Sequence, residues 1–389
     1  MNTRIMHCMF PLAWLLGAAC GNHAQAGERE YRVSLLESNG GPLSRGNSIN
    51  NLGWVSGYST LADLNRHATL WRNGRKIDLG TLGGPNSSVA WPVKNDLGLI
   101  VGISQTDSPE PLGENWSCSA FFGGSHARGF TCLGFVWWNG VMKLLPTLGG
   151  NNGYAAGANN LGQVVGWAEN TVRDPTCVPP QVLQFQAVVW EPLRNRTRQL
   201  LSLPGDSSSA ATAVNDRGQV VGISGICDQS VGRHTARHAV LWERGAVIDL
   251  GNIGGDSWNT PTALNRQGDV VGFASLAGSD PDDPVLHAFL WTRAHGMRDL
   301  GTLPGDTSSQ AQGINARGQV VGLSCGASGC RAFLWENGVM RDLNALKAPQ
   351  VAVHLESAMD INEFGQISGR AIDRVSGERP AYLAVPSNR

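Results

Sequence analysis

Three aspartates recur in one short phrase and are the first residues whose type and spacing could do chemistry. Asp206, Asp256 and Asp306 each follow a glycine and precede serine or threonine, at intervals of 50 residues. If the fold brings them together, their carboxylates could bind a cation or act as acid and base in cleaving a sugar chain. The same phrase is ordinary turn chemistry, in which the carboxylate accepts backbone N–H bonds. We predict turn capping and keep the three as candidate ligand-binding residues.

A second acidic group offers the oxygen ligands that calcium prefers. Asp280, Asp282 and Asp283 lie within one short segment. Their spacing matches no EF-hand loop, so a solvated loop is the favoured interpretation and a calcium site is the weaker one. Beyond calcium, the sequence indicates no cofactor.

Several tryptophans could stack on a sugar ring. Trp91, Trp116, Trp167 and Trp258 fall outside the register of the tryptophans that end a strand in most copies of the repeat described next. Packing beneath a loop explains such residues at least as well as an exposed aromatic platform does. Trp91, Trp116 and Trp258 are the candidate ligand-binding residues of this type.

A repeat supplies the elements that must position these residues. The phrase Asn-x-x-Gly-x-x-x-Gly occurs seven times, beginning at Asn50, Asn95, Asn159, Asn215, Asn265, Asn315 and Asn362. Steps of 45 to 64 residues equal the length of one small β-sheet with its loops. Each copy contains four short strand-like stretches bounded by turn residues, and the phrase itself predicts a tight hairpin. Each copy is therefore predicted to be a four-stranded antiparallel sheet.

The two ends of the chain distinguish a ring from an open stack. The last copy stops after its third strand, near Ala384, whereas residues 31–36 form a lone strand before the first copy. Pairing the amino-terminal strand with the last three closes a ring and leaves only short, protected sheet edges. We predict an all-β fold, a seven-bladed β-propeller over residues 27–389, with an open β-array as the alternative.

The amino terminus predicts export. Residues 1–26 combine basic Arg4, a short apolar run and small residues before Gly27, which is typical of a cleaved signal peptide. The apolar run is too short to span a bilayer, for which about 20 residues are needed. We expect a secreted or periplasmic monomer without a membrane span, and lipidation at Cys20 is a minor alternative.

Cysteine usage agrees with export. Six cysteines follow the predicted signal, all in the segment between the Asn/Gly phrase and the next strand ending in tryptophan. An even number in an exported chain predicts disulfides. The shared placement favours Cys118–Cys132, Cys177–Cys227 and Cys325–Cys330, and free buried thiols are the alternative.

The charge balance excludes one class of partner. Without residues 1–26 the chain has 29 Lys and Arg against 31 Asp and Glu. Proteins that bind nucleic acid gather an excess of Lys and Arg on one face, and neither the total nor any run of this sequence supplies it. We therefore predict no nucleic-acid partner.

The repeat resembles the extracellular HAF repeat family, which is named for a His-Ala-Phe tripeptide. The tripeptide stands at His287-Ala288-Phe289, with related forms at His67 and His238, and the phrase Asp-Leu-Gly-Thr-Leu-Gly-Gly stands at residues 78–84. The second copy departs most from this pattern, because Leu133-Gly134-Phe135 replaces the tripeptide and a long insertion runs from Gln105 to Cys132. The resemblance implies export and a repeat-built β architecture, and it brings no established reaction. The periodic histidines are expected to be structural partners rather than catalysts.

Function should reside where the loops vary. In the predicted propeller, one face collects every cysteine of the mature chain and the inserts 105–132, 169–184 and 225–237. Variable loops on a rigid scaffold concentrate binding residues. We expect a non-catalytic module that binds a glycan or protein ligand on this insert-bearing face. The alternatives are a polysaccharide lyase or hydrolase and a structural cell-surface protein, and an enzyme is less favoured because no catalytic set is recognisable.

Overall fold

The computed structural model describes residues 30–114, 116–122, 129–228, 234–349 and 352–387, without the side chain of Trp116. The predicted signal peptide, residues 1–26, lies outside the described residues. The described chain forms seven four-stranded antiparallel sheets. They are the blades of the predicted seven-bladed β-propeller.

Blades 2 and 3 carry two of the three long inserts, residues 105–132 and 169–184. Blade 1 consists of β2 (Ser44–Ile49), β3 (Val55–Thr60), β4 (Arg66–Arg72) and β5 (Arg75–Asp78). Blade 2 consists of β6 (Gly83–Ser88), β7 (Ile100–Pro109), helix α1 (Trp116–Phe122), β8 (Phe130–Trp138) and β9 (Val141–Leu144). Blade 3 consists of β10 (Gly149–Ala158), β11 (Val164–Arg173), β12 (Leu183–Glu191), a 3-10 turn (Pro192–Arg194) and β13 (Arg196–Gln199).

The third insert, residues 225–237, lies between the second and third strands of blade 4, and blades 5 and 6 carry none of the three. Blade 4 consists of β14 (Ser208–Val214), β15 (Val220–Gly225), β16 (His238–Glu243) and β17 (Ala246–Asp249). Blade 5 consists of β18 (Gly254–Leu264), β19 (Val270–Leu276), β20 (Leu286–Thr292) and β21 (Gly296–Asp299). Blade 6 consists of β22 (Ser308–Ile314), β23 (Val320–Gly326), β24 (Gly329–Glu336), β25 (Val339–Asp342) and helix α2 (Leu343–Leu346).

Blade 7 joins both ends of the chain. It consists of β26 (His354–Ile361), β27 (Ile367–Ile372), β28 (Ala381–Ser387) and the amino-terminal β1 (Glu30–Leu35). Strand β1 pairs antiparallel with β28, with Glu30 opposite Ser387 and Leu35 opposite Tyr382. This pairing confirms the predicted closure and excludes the open array.

Each Asn of the repeat holds its own turn and also links two blades. In the first copy, Asn50 Oδ1 accepts from the amides of Leu52 and Trp54 at 3.1 and 3.0 Å. Six of the seven Asn side chains donate through Nδ2 to the main-chain oxygen of the corresponding Asn in the next blade, at 2.9 to 3.4 Å. Asn95 is the exception and donates to Leu99. A ring of amides thus runs around the axis.

The two glycines of the phrase have different tasks. The first has a positive φ, such as 73° at Gly53, which the tight hairpin requires. The second lies on the second strand against the first strand of the same blade. At Gly57 and Gly322 an added Cβ would come within 1.8 and 1.9 Å of a carbonyl oxygen. The phrase therefore encodes a turn followed by a close approach of two strands.

The remaining repeated residues pack blade against blade. The indole N–H groups of Trp71, Trp190 and Trp242 donate to main-chain carbonyls at 2.7 to 2.9 Å. The His that begins the third strand pairs with the Asp that ends the fourth, as His287 does with Asp299 at 2.8 Å. The hydrogen bond to Asp299 raises the pKa of His287. The structure accordingly gives the periodic histidines structural partners.

Candidate functional site

Each end of the propeller axis opens into a cavity. One, of about 490 Å³, lies at the mouth formed by the Asn-x-x-Gly turns, and we call it the turn-face cavity. The other, of about 380 Å³, lies at the mouth that carries the inserts, and we call it the insert-face cavity. The insert-face cavity is lined by Arg45, Asn47, Tyr58, Arg66, Ser88, Ala90, Trp91, Ala120, Phe121, Thr212, Ile223, Trp258, Thr260, Phe273, Gln310 and Gln312.

The polar groups of the turn-face cavity are largely satisfied by one another. Lys94 lies in the wall, where its ammonium pairs with the buried Asp360 at 2.9 Å and donates to the carbonyls of Ile314 and Ile361. Asp360 also accepts from the amide of Ile49 at 3.0 Å. All three donors of Lys94 are used. This pair ties blade 2 to blades 6 and 7 and leaves Lys94 no free donor for a ligand.

The insert-face cavity differs because two guanidinium groups lack acidic partners among the described residues. Arg45, on the inner strand of blade 1, donates to the thioether sulfur of Met359 at 3.1 Å, and its Nε has no partner. Arg66, at the start of the third strand, donates to the carbonyl of Phe121, and its Nε also has none. A charge removed from water without a partner is costly, so this wall is suited to receive an anion.

Tyr58 lies between these guanidinium groups. It is opposite Arg45 in the strand register, and the Arg66 guanidinium carbon lies 4.2 Å from its ring centroid. Burial raises the pKa of the Tyr58 hydroxyl, but the charges of Arg45, Arg66 and Arg370 and a hydrogen bond from Arg370 outweigh it and lower the pKa below the usual range. The phenol is therefore easier to ionise than an ordinary tyrosine.

The balance of charge behind this wall remains positive. Arg370 donates to Glu356 at 2.6 Å, and Arg379 contacts the other oxygen of the same carboxylate at 3.6 Å. One carboxylate thus serves two guanidinium groups and leaves Arg45 and Arg66 uncompensated. Among the residues that the structure describes, no Asp or Glu lines the cavity.

Aromatic side chains from blades 2 and 5 also line the cavity. Trp258 packs edge-on against Phe273 at a centroid distance of 6.2 Å and donates to Thr260 Oγ1 at 3.1 Å. Trp91 and Phe121 also line the cavity, and Trp91 Nε1 has no hydrogen-bond partner. Aromatic faces next to polar groups suit the apolar face and hydroxyls of a sugar ring.

The long insert of blade 2 places Phe121 in the cavity. Helix α1 is tied to β8 by the Cys118–Cys132 disulfide, and the ring of Phe121 packs on Tyr154 at 4.7 Å. Upstream of the helix, Glu114 accepts from the amides of Val182 and Leu183 at 2.6 Å. The insert is thereby anchored on blade 3.

The buried carboxyl group of Glu169, in blade 3, should make the stability of the protein depend on pH. Burial, followed by the nearby Glu114 charge, raises the pKa of Glu169 from 4.5 to about 8. The folded state then holds a proton that the unfolded state has lost between these values, so stability falls as pH rises through this window. Glu169→Gln mimics the protonated acid. Chemical denaturation should show the variant gaining about 4 kcal/mol over the native chain between pH 5 and 9; parallel curves for the two proteins would contradict it.

The predicted aspartates have structural surroundings, and none lines the insert-face cavity. Asp206 accepts from Ser224 Oγ at 2.7 Å. Asp306 pairs with Arg331 at 2.9 Å and is nearly inaccessible to solvent. Asp256 is exposed and lies in a separate shallow depression with Asp282. The structure does not bring the three carboxylates into one site.

The acidic loop is exposed and organised by its own backbone. Asp280 accepts from the amide of Asp282 at 2.8 Å, and both are exposed, as is Asp283. Among the described residues, one group of three His, Cys or acidic ligand atoms lies within 4.8 Å of one another, at Asp174, Cys177 and Cys227. Its two sulfurs form a disulfide, so they are not thiolate ligands.

The candidate tryptophans lie in different environments. Trp91 and Trp258 line the insert-face cavity. Trp167 is 1% exposed and packs on Phe185, so it belongs to the core. The backbone of Trp116 begins helix α1, and its side chain lies outside the described residues.

The arginines and Tyr58 were missed by sequence reasoning, although a signal existed. Five residues before the repeat Asn the first copy has Arg45, whereas the other six copies have Ala90, Tyr154, Ala210, Thr260, Gln310 and Ser357. Eight residues after it, five copies have an apolar residue, and the first and last have Tyr58 and Arg370. A polar residue in an otherwise uncharged or apolar register marks the lining of the cavity.

Comparison with known proteins identifies the fold. The sequence matches no protein-family model and no curated protein. The structure is similar to the β-propeller domain of the Trilobed protease from Pyrococcus furiosus, with a TM-score of 0.50, 9% identity and coverage of 91% of this chain and 93% of that chain. A gluconolactonase from Xanthomonas campestris matches with a TM-score of 0.41, 9% identity and coverage of 94% and 93%. At such identities the likeness shows the propeller fold alone.

Two observations bear on where the protein works. The three disulfides join the predicted pairs, Cys118–Cys132, Cys177–Cys227 and Cys325–Cys330, and disulfides of this kind indicate an oxidising, extracytoplasmic compartment. None of the helices among the described residues has the length and apolar character needed to cross a bilayer.

Proposed function

We propose that this protein is an exported binding propeller that takes a sugar chain bearing carboxylates in its insert-face cavity. The observation that supports it is the pair of guanidinium groups, Arg45 and Arg66, which line that cavity without an acidic partner among the described residues. A planar guanidinium matches the geometry of a carboxylate and binds it through two parallel hydrogen bonds.

The remaining lining favours a sugar over a simple anion. Trp91, Phe121 and Trp258 offer aromatic faces, and Asn47, Gln310 and Gln312 offer amides able to bond hydroxyl groups. A cavity of about 380 Å³ is within the range of small-molecule sites, about 300–1,000 Å³, and accommodates one or two sugar rings. A uronate combines the carboxylate, the hydroxyls and the apolar ring face that this lining is suited to bind.

The proposal also covers where the protein is located. We infer cleavage of a signal peptide before Gly27, release to the periplasm or the cell exterior, and action as a monomer of the HAF repeat type. The disulfides support export, and the rigid seven-bladed ring gives the cavity a preformed shape. Lipidation at Cys20 would keep the same domain at a membrane surface.

Isothermal titration with trigalacturonate and its carboxyl-reduced counterpart tests the proposal. We expect one site per chain and at least about a hundredfold weaker binding of the reduced, neutral sugar, because each charge-assisted bond contributes about 1.5–3 kcal/mol. Trp258→Ala should weaken both ligands, since it removes a stacking face without removing charge. Equal affinity for the charged and the neutral sugar would contradict the proposal.

A further inference from the structure

We propose that the insert-face cavity also cleaves a bound uronate chain by β-elimination, with Tyr58 transferring the proton. This inference rests on the proposed binding of a uronate at Arg45 and Arg66. It goes further, because it assigns a reaction class to a residue that binding alone does not need.

The geometry around Tyr58 supports the assignment. Its side chain lines the cavity while only 6% of the residue is exposed, and it pairs in register with Arg45 on the neighbouring strand. Arg66 stacks on its ring at 4.2 Å. A carboxylate held by the two arginines would therefore lie next to the Tyr58 side chain, and the proposal places the proton on the adjacent ring carbon within reach of the phenol oxygen.

The charged groups that face Tyr58 all favour its ionised form over the neutral one. Arg45, Arg66 and Arg370 lower the pKa of the hydroxyl although burial raises it. Glu356, the carboxylate whose charge acts on Arg45, is engaged by Arg370 and Arg379. A phenolate in this setting is a competent base closer to neutral pH than a free tyrosine is.

The reaction balances without any further reactant. The Tyr58 phenolate takes the proton from C5 of the uronate, and the electron pair moves onto the carboxylate, where Arg45 and Arg66 stabilise the extra charge. The pair then returns to form the C4=C5 double bond as the bond between C4 and the glycosidic oxygen breaks. In hyaluronan glucuronate and alginate mannuronate the C5 proton and the leaving oxygen lie on the same face of the ring, so Tyr58 gives its proton to that oxygen and the phenolate is restored. In galacturonate they lie on opposite faces, so water protonates the leaving oxygen and Tyr58 returns its proton to solvent.

The lining favours elimination over hydrolysis. Glycoside hydrolysis normally uses a pair of carboxyl groups flanking the scissile bond. Within the described part of the chain, the lining of the insert-face cavity includes two arginines and one tyrosine but no Asp or Glu. The carboxylates singled out from sequence, Asp206, Asp256 and Asp306, lie away from it. Proton abstraction next to a neutralised carboxylate is the chemistry that this set can perform.

The mature chain, incubated with polygalacturonate, alginate or hyaluronan, tests this step. We expect at least one polymer to give fragments with the ultraviolet absorbance of an unsaturated uronate. The fragment masses should sum to that of the substrate, whereas hydrolysis would add one water per cleavage. Tyr58→Phe retains the ring beneath Arg66 and should lower kcat by about a thousandfold with unchanged binding. Arg370→Gln should shift the acidic limb of the pH profile to higher pH.

The outcomes separate this inference from the proposed function. Binding of a uronate polymer without unsaturated product, or full activity in Tyr58→Phe, overturns the elimination step and leaves the binding proposal standing. Failure of all three polymers to bind overturns both. A matching thermal midpoint for Tyr58→Phe and the native chain shows that loss of activity is not loss of folding.

Discussion

Replacing Gly322 with alanine is expected to lower the free energy of unfolding of the propeller by at least about 3 kcal/mol, at the upper end of the cost of overpacking. A Cβ at this position would lie 1.9 Å from the carbonyl oxygen of Gln310 and 2.8 Å from the ring of Phe333. Neither can move freely, because the carbonyl belongs to a paired inner strand and Phe333 is fully buried. The measurement is urea denaturation followed by tryptophan fluorescence.

Gly153→Ala is the matched control. Gly153 lies on the inner strand of blade 3, in the same strand pairing as Gly322 but on its other side, and the nearest atom to an added Cβ is 3.3 Å away. We expect it to cost less than about 1 kcal/mol, because a shift of a few tenths of an ångström accommodates the methyl group. If the two variants were equally stable, the close strand approach would not be the reason for the repeated second glycine.

Arg45→Met is expected to have opposite effects on binding and stability. Removing a partly buried guanidinium that lacks an acidic partner should raise the free energy of unfolding by about 1–2 kcal/mol, because a methionine of similar length packs without a desolvation cost. The same change should weaken uronate binding by at least about a hundredfold, since the bidentate contact is lost. Titration calorimetry and urea denaturation on one preparation measure both.

Arg266→Met supplies the control from the opposite mouth. Arg266 lines the turn-face cavity, so its loss should leave uronate affinity unchanged. The reverse pattern, with affinity lost in Arg266→Met and kept in Arg45→Met, would move the site to the turn face. A fall in both stability and binding in Arg45→Met would indicate a structural role for this arginine.

Much of the fold could be predicted because the same local sequence pattern occurs seven times. The hairpins follow from Asn and Gly in positions that need their turn chemistry, and closure follows from a strand missing at one end and spare at the other. Glu30 opposite Ser387 is the observed result. The disulfide partners were also recoverable, since a repeat fixes which loops are neighbours. Helix α1 was not predicted, because it lies in an insertion that no other copy repeats.

The site was harder to predict because it lies where the repeat is broken. Arg45 and Tyr58 each occur once at their register positions, so neither forms a motif. Their importance depends on which strand faces converge at the axis, and that requires the ring to be built first. The Lys94–Asp360 pair was missed for the same reason, since it joins residues 266 positions apart across the axis.

The most direct test is a crystal structure of the Tyr58→Phe variant with trigalacturonate, because this variant is expected to bind the sugar without cleaving it. We expect one sugar carboxylate within hydrogen-bonding distance of Arg45 and Arg66, its ring against Trp91 or Trp258, and C5 facing the end of the ring at position 58 that carries the oxygen in the native chain. A ligand bound in the turn-face cavity beside Arg266, or on the outer surface with the insert-face cavity empty, would contradict this expectation.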